Sequence, residues 1–236
     1  MNSNVGATHK EKNIYLWLTK FTNRNKKPEK TFCGTESRSL RTPSTDTTKH
    51  IATMNHPIRF TTPEEAVKVI KSGDHVHLSS VASVPQILVR AMTARGEAGE
   101  LQHVHIHHLH TEGEALYAVP EMEGIFQLDS FFVGGNVRNI TQQGFADYIP
   151  VFLSETQRLY RDGILPCNVA MIQVSTPDRH GYVSLGTSVD ATLAAVECAD
   201  TVIAVVNRHV PRSFGDSFIH TSQIDLFVED DTPLIE

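Results

Sequence analysis

Two short runs near the end of the chain constrain its fold more than anything else in it. Residues 167–175 read CNVAMIQVS and residues 201–207 read TVIAVVN; both are almost wholly apolar and rich in β-branched side chains. A strand without polar alternation must be covered on both faces, which is the situation inside a parallel sheet and not in a half-solvated antiparallel one. Between the two lies ATLAAVECA, a helix of small residues able to pack closely on such a sheet. The same alternation runs upstream. TPEEAVKVIKSGD offers a Thr cap, an early Pro, Glu at the favoured end of the helix dipole and Gly73 as a stop, and predicts a helix over 63–72. HVHLSS then predicts a strand, Val84 to Ala94 a helix, HVHIHHL a strand, FQLDSFFVGG a strand, and NVRNITQQG a short helix, followed by the amphipathic SETQRLYRDG. The fold class that follows is α/β, a mostly parallel sheet flanked by helices on both faces.

Charge divides the chain into two unlike parts. Residues 1–55 hold 10 Lys and Arg against 4 Asp and Glu, whereas residues 56–236 hold 11 against 23. The first part lacks periodicity and reads as a disordered or non-native basic N-terminal extension, with a mitochondrial transit segment as the competing reading. Residues 56–236 form the α/β domain. Its acidic surface excludes broad nucleic-acid binding, and a bound phosphate would have to be met by backbone amides or a few local cations. No run approaches the length needed to span a bilayer. Cys33, Cys167 and Cys198 show no C-x-x-C spacing or even framework, which fits buried thiols in a reducing compartment, the cytoplasm, or the mitochondrial matrix if the extension is a transit segment.

Two loops and one strand carry candidate chemistry. Ser79-Ser80-Val81-Ala82-Ser83 leaves the first strand and enters a helix, at the edge where ligands collect in open α/β sheets, although serines there also serve as plain caps. Gly134-Gly135-Asn136 repeats the arrangement after the third strand, with glycines that admit backbone close to a ligand and Asn136 placed to cap the next helix; a tight turn explains it as well, and no G-x-G-x-x-G dinucleotide fingerprint is present. His103, His105, His107, His108 and His110 invite a metal reading, since alternation would put the first three on one strand face. With no H-E-x-x-H, no paired Cys and no evident downstream carboxylate, packing, hydrogen bonding or substrate contact is the preferred role, and no metal ligand is assigned.

The remaining motifs gain specificity from their order. Thr176-Pro177-Asp178-Arg179-His180-Gly181 is a turn, SLGTSVDAT follows, then the strand end Val205-Val206-Asn207, the Pro211 to His220 loop containing Gly215-Asp216, and finally Ile224-Asp225 with Val228-Glu229. Over Phe60 to Glu236 this series resembles the N-terminal half of the acetyl-CoA hydrolase and transferase family, on the side of its 4-hydroxybutyrate CoA-transferases. Val205 stands where the family pattern has Glu.

The resemblance implies a reaction in which a glutamate attacks an acyl-CoA, and CoA then opens the mixed anhydride to a glutamyl-CoA thioester, with ping-pong exchange. The glutamate and a glycine-rich CoA loop are expected beyond Glu236, in a C-terminal half. Glu229 and Glu236 are poor substitutes, so no catalytic residue is assigned here, and the linker-like EDDTPLIE reads as the junction between halves. By the same resemblance Ser79, Ser80, Gly134, Gly135 and Asn136 would line the substrate pocket, while Asn207, Gly215 and Asp216 would shape the interface with that half. Coenzyme A is expected as a substrate, with no permanently bound cofactor. The expected partners are an acyl-CoA, a short-chain carboxylate such as 4-hydroxybutyrate or butyrate, the chain's own C-terminal half and a second copy in a homodimer, and neither nucleic acid nor membrane. Two other functions stay open: an acetyl-CoA hydrolase of the same family, and a non-catalytic acyl-CoA or carboxylate-binding module.

Overall fold

The computed structural model describes residues 58–235; the basic extension predicted over 1–55, and Cys33 within it, lie outside them. Seven parallel strands form one sheet: β1 (His75–Leu78), β2 (Val104–His108), β3 (Phe126–Ser130), β4 (Ala146–Tyr148), β5 (Val169–Val174), β7 (Thr201–Val206) and β9 (Leu226–Glu229). Their spatial order is β4-β3-β2-β1-β5-β7-β9. The chain builds outward from β1 to β4, returns to the other side of β1, and builds outward again through β5, β7 and β9. Right-handed crossovers in opposite directions put helices on opposite faces, and the reversal between β1 and β5 is a topological switch point.

On one face lie α1 (Pro63–Ala66), α2 (Gln86–Glu97) and α3 (Arg138–Gln143). Their apolar residues pack with Val76, Leu78, Val104, Ile106, Leu128, Met171, Ile203, Val205 and Val228 into one continuous core. On the other face lie α4 (Thr156–Arg161) and α5 (Thr192–Cys198), tied to β1 by hydrogen bonds between His77 and both Tyr160 and Thr192. Helix α2 sits so close to β3 that a Cβ at Gly96 would come within 2.6 Å of the Phe126 ring, so glycine is required at this crossing.

Several elements differ from expectation for local reasons. The first helix begins as predicted, with Thr62 Oγ1 accepting from the Glu65 amide, but it tightens into a 3-10 turn over Val67–Val69 and ends at Ile70, which is extended and buried. Its β-branched residues disfavour continuation, and Arg95 Nη1 donates to the carbonyls of Val67 and Ile70 that would have accepted further helical bonds. Helix α2 starts at Gln86 and not at Val84, because Pro85 disfavours helical geometry in the residue before it.

A two-stranded antiparallel sheet joins β6 (Tyr182–Ser184) to β8 (Phe218–His220). The turn leading into β6 is closed by Asp178, whose Oδ1 accepts from the amides of His180 and Tyr182 at 2.8 and 2.9 Å, with Gly181 at φ +81°. Arg212 bonds Asp178 and the carbonyls of Thr176 and Tyr182, and lies 5.1 Å over the Phe218 ring. The turn motif and the Pro211 loop, far apart in the chain, thus interlock through one guanidinium.

Candidate functional site

The carboxyl end of β1 faces the switch point, and there the chain turns sharply. The Ser79 amide still donates to Met171 of β5 at 3.1 Å, the Ser80 amide donates to Ser188 Oγ at 2.6 Å, and Val81 adopts φ +54°. A left-handed β-branched residue is strained by about 1–3 kcal/mol, and such strain collects where a loop is over-determined by its surroundings. Here the surroundings are visible: Val81 donates to the His110 carbonyl at 2.7 Å and bridges Thr111, and Ser83 Oγ meets Thr187 Oγ1 at 2.6 Å. Both Ser79 and Ser80 are fully buried, and among the described residues neither hydroxyl has a hydrogen-bond partner. Two buried hydroxyls without partners, side by side at a sheet's ligand-binding edge, are costly in isolation and suited to accept or donate to a bound polar group.

Behind this loop runs a buried polar chain from the SLGTSVDAT segment. Ser188 Oγ contacts Thr192 Oγ1 at 3.1 Å, Thr192 Oγ1 contacts His77 Nε2 at 3.0 Å, and His77 Nδ1 contacts the Tyr160 hydroxyl at 2.9 Å. Burial lowers the His77 pKa to about 3, helped by His107 and His108, so the imidazole joins the chain in its neutral form, and the Asp190 carboxylate reaches the chain 3.3 Å from Thr192 Oγ1 and 3.5 Å from Ser188 Oγ. Sequence reasoning assigned no role to Ser188, Thr192, His77 or Tyr160. The histidine's alternation was readable, but its partners come from two helices far along the chain.

Gly134, Gly135 and Asn136 reach the same edge from β3. A Cβ at Gly134 would stand 2.6 Å from the His110 ring, whereas one at Gly135 would meet open space. Asn136 does not cap the following helix as expected. Its Nδ2 turns back 3.3 Å to Thr111 Oγ1 and 3.3 Å to the Gly113 carbonyl, and α3 begins at Arg138 with no side-chain cap. The structure therefore brings Ser79–Ser80 and Gly134–Asn136 together around the β2 exit at His110–Thr111, which was not singled out for this edge. Asn207, one strand beyond β5, uses its side chain on backbone: Oδ1 accepts from the His209 amide and Nδ2 donates to the Thr232 carbonyl, both at 2.8 Å. Asp216 lines a cavity of about 350 Å³ with Arg161, Leu193, Glu197, Phe218, Ile219 and Gln223. Gly215, at φ +79°, precedes it with open space around a notional Cβ. Neither takes part in the contacts around Thr111.

The histidine stretch does not form the predicted row. His103 precedes β2 at φ +54°, His108 points into the core beside Tyr117, and His110 passes the strand end and pairs with Glu112 at 2.9 Å. His105 and His107 share a face, and their third companion is His75 of β1, whose ring stacks on His105 with centroids 4.4 Å apart. The carboxylate that seemed missing comes from β3, in register with His107: Asp129 Oδ2 lies 2.8 Å from His105 Nδ1 and 3.3 Å from His107 Nε2. Burial alone would push Asp129 upward, but hydrogen bonds from His105 and His107 hold it down to about 2. The bond to Asp129 raises the His105 pKa. Burial, with the neighbouring His107 and His105, lowers His75 to about 4.

No helix among the described residues is long and apolar enough to cross a membrane. Residues 45–236 match the model of the acetyl-CoA hydrolase/transferase N-terminal domain. The chain is 39% identical over 178 residues to 4-hydroxybutyrate coenzyme A transferase of Clostridium kluyveri, covering 75% of this chain and 41% of that protein. To succinyl-CoA:acetate/propanoyl-CoA:succinate CoA transferase of Fasciola hepatica it is 38% identical over 161 residues, covering 68% of this chain and 33% of that protein. The solved structure of RipA from Yersinia pestis superposes with a TM-score of 0.70 at 30% identity, over 75% of this chain and 42% of that one. The chain thus spans less than half the length of these curated relatives. With the doubly wound sheet, the order of motifs and the family model in agreement over the described residues, the chain belongs to the acetyl-CoA hydrolase/transferase family, of which it carries the N-terminal domain.

Proposed function

We propose that this chain is the N-terminal half of a CoA-transferase that moves CoA between acetyl-CoA and a short-chain carboxylate such as 4-hydroxybutyrate or butyrate, working in the cytoplasm. The observation that carries the reading is the meeting of Ser79–Ser80 and Gly134–Asn136 at the carboxyl edge of the sheet, with two buried hydroxyls that have no partner among the described residues, in a chain of this family. A carboxylate or thioester carbonyl placed there would satisfy them, and it could approach closely because Gly134 and Gly135 carry no side chain. The nucleophile belongs to the C-terminal half. A glutamate carboxylate attacks the thioester carbonyl and expels CoA thiolate, leaving an acyl-glutamyl anhydride. The thiolate then attacks the glutamyl carbonyl of that anhydride and releases the acyl group as carboxylate. The second acid runs the sequence in reverse from the glutamyl-CoA thioester, so each step exchanges one leaving group for another without water. This half supplies the pocket and the exclusion of water.

The test uses both halves expressed as one protein, with acetyl-CoA and 4-hydroxybutyrate or butyrate. Ping-pong kinetics and a glutamyl thioester trapped by borohydride are the expected results. Gly134→Ala, which forces the His110 ring and the β3 exit apart, should lower kcat/KM by roughly 10- to 100-fold. CoA release in the absence of an acceptor acid at the same rate would make the protein a hydrolase and overturn the reading.

A further inference from the structure

The geometry points to a second site on this domain: we propose that His75, His105 and His107 bind one transition-metal dication of the Zn²⁺ class, with Asp129 as its compensating carboxylate. A ligand-capable nitrogen of each of the three rings lies within 4.8 Å of the others. His75 Nδ1 and His107 Nε2 are only 3.1 Å apart. Ligands held ~2.1 Å from a tetrahedral ion stand ~3.4 Å from one another, so the rings need small adjustments and no rearrangement of strands. Asp129 places one oxygen 2.8 Å from His105 and 3.3 Å from His107. A ring nitrogen that donates to that oxygen cannot also bind the ion, so His105 would be held by Asp129 through Nδ1 and ligate through Nε2, whereas His107 Nε2 would exchange its contact with Asp129 for the metal and leave the carboxylate charge beside the ion.

The position is set by the sheet's most rigid feature, its hydrogen-bonded register. His75 pairs with His105 across β1 and β2, and His107 pairs with Asp129 across β2 and β3. Three strands therefore deliver the donors to one place on one face. His107 and Asp129 lie at the buried side of the cluster, while His75 and His105 are half-buried, leaving an approach from solvent. His107 Nδ1 is buried without a partner among the described residues, so the ring's polar contacts run through the nitrogen that faces the cluster. Imidazole donors favour Zn²⁺, Co²⁺, Ni²⁺ or Cu²⁺ over Mg²⁺ and Ca²⁺, which prefer all-oxygen sites. Because His75 opens β1 whereas Ser79 follows its end, the ion would sit behind the proposed acyl pocket and clamp β1, β2 and β3 together. The inference does not depend on the CoA-transferase reading.

The experiment uses the full chain, tag-free and stripped with chelator. Calorimetric titration with Zn²⁺ and with Mg²⁺ should give one equivalent of Zn²⁺ and no Mg²⁺ uptake. Co²⁺ should give the visible absorption of a four-coordinate ion with nitrogen ligands, and Zn²⁺ should raise the melting temperature. His105→Asn and His75→Asn, both at half-buried positions, should keep the circular dichroism of the parent and weaken Zn²⁺ binding by at least ~10- to 100-fold. His110→Asn, outside the cluster, should bind as the parent does. Uptake well below one equivalent, or binding that survives in both His105→Asn and His75→Asn, overturns the proposal.

Discussion

The two faces of the same four strands differ as sharply as two proteins would. Toward α1 and α2, β1–β4 present Val76, Leu78, Val104, Ile106, Leu128 and Ala146, all buried in one core. Toward the opposite side, the intervening residues are His75, His77, His105, His107, Gln127, Asp129 and Asp147. Alternation of side chains along a strand lets a single segment of sequence hold the fold with one set of residues and carry polar chemistry with the next. Stability should therefore reside on the apolar face and responsiveness to protons or ions on the histidine face.

The largest test of this division is Ile106→Ala. It removes a fully buried side chain between His105 and His107 and should cost about 3 kcal/mol in denaturant unfolding, within the ~2–5 range for such truncations. A cost below ~1 kcal/mol would mean that this face is not the core of the fold. His77→Leu, on the histidine face but under α4 and α5, leaves the Tyr160 hydroxyl without its imidazole partner, and should cost about 1–3 kcal/mol despite preserving volume.

His108 blurs the comparison in an informative way, since it is a histidine on the apolar face with neither ring nitrogen hydrogen-bonded among the described residues. Burial lowers its pKa to about 3, and the nearby His107 and His110 add to the effect. The folded state then resists protonation while the unfolded chain accepts a proton below about 6.5. Its contribution is constant above that pH and declines as pH falls toward 3, by up to ~1.4 kcal/mol per pH unit. His108→Leu should remove this part of the acid slope in melts between pH 6.5 and 4, and an unchanged slope would reassign it to other groups. The smallest effect belongs to His105→Asn, in metal-free protein. The side chain is 36% exposed, and its pairing with Asp129 should contribute under ~1 kcal/mol, against about 3 for its neighbour Ile106.

Much of the fold was legible because strands buried on both faces leave an unmistakable apolar run: β5 and β7 could be read from composition alone. β4 and β8 could not, since ADY and FIH are three-residue strands whose pairing depends on a neighbour's edge and not on their own pattern. The site divides similarly. Ser79, Ser80 and Gly134–Asn136 were placed at strand ends from local signals, yet their meeting at Thr111 required knowing that β1, β2 and β3 are adjacent. The absent carboxylate was a misreading of the same origin: Asp129 stands 24 residues from His105 and becomes its partner only through the β2–β3 register.

What the sequence determined by itself was the period of each segment, the location of turns and the presence of residues able to do chemistry, because these depend on interactions within a few residues. Strand order, register and the switch between β1 and β5 were decided by the tertiary structure. Each is a choice among pairings that bury similar apolar area, and only the packed whole selects which polar side chains end up face to face.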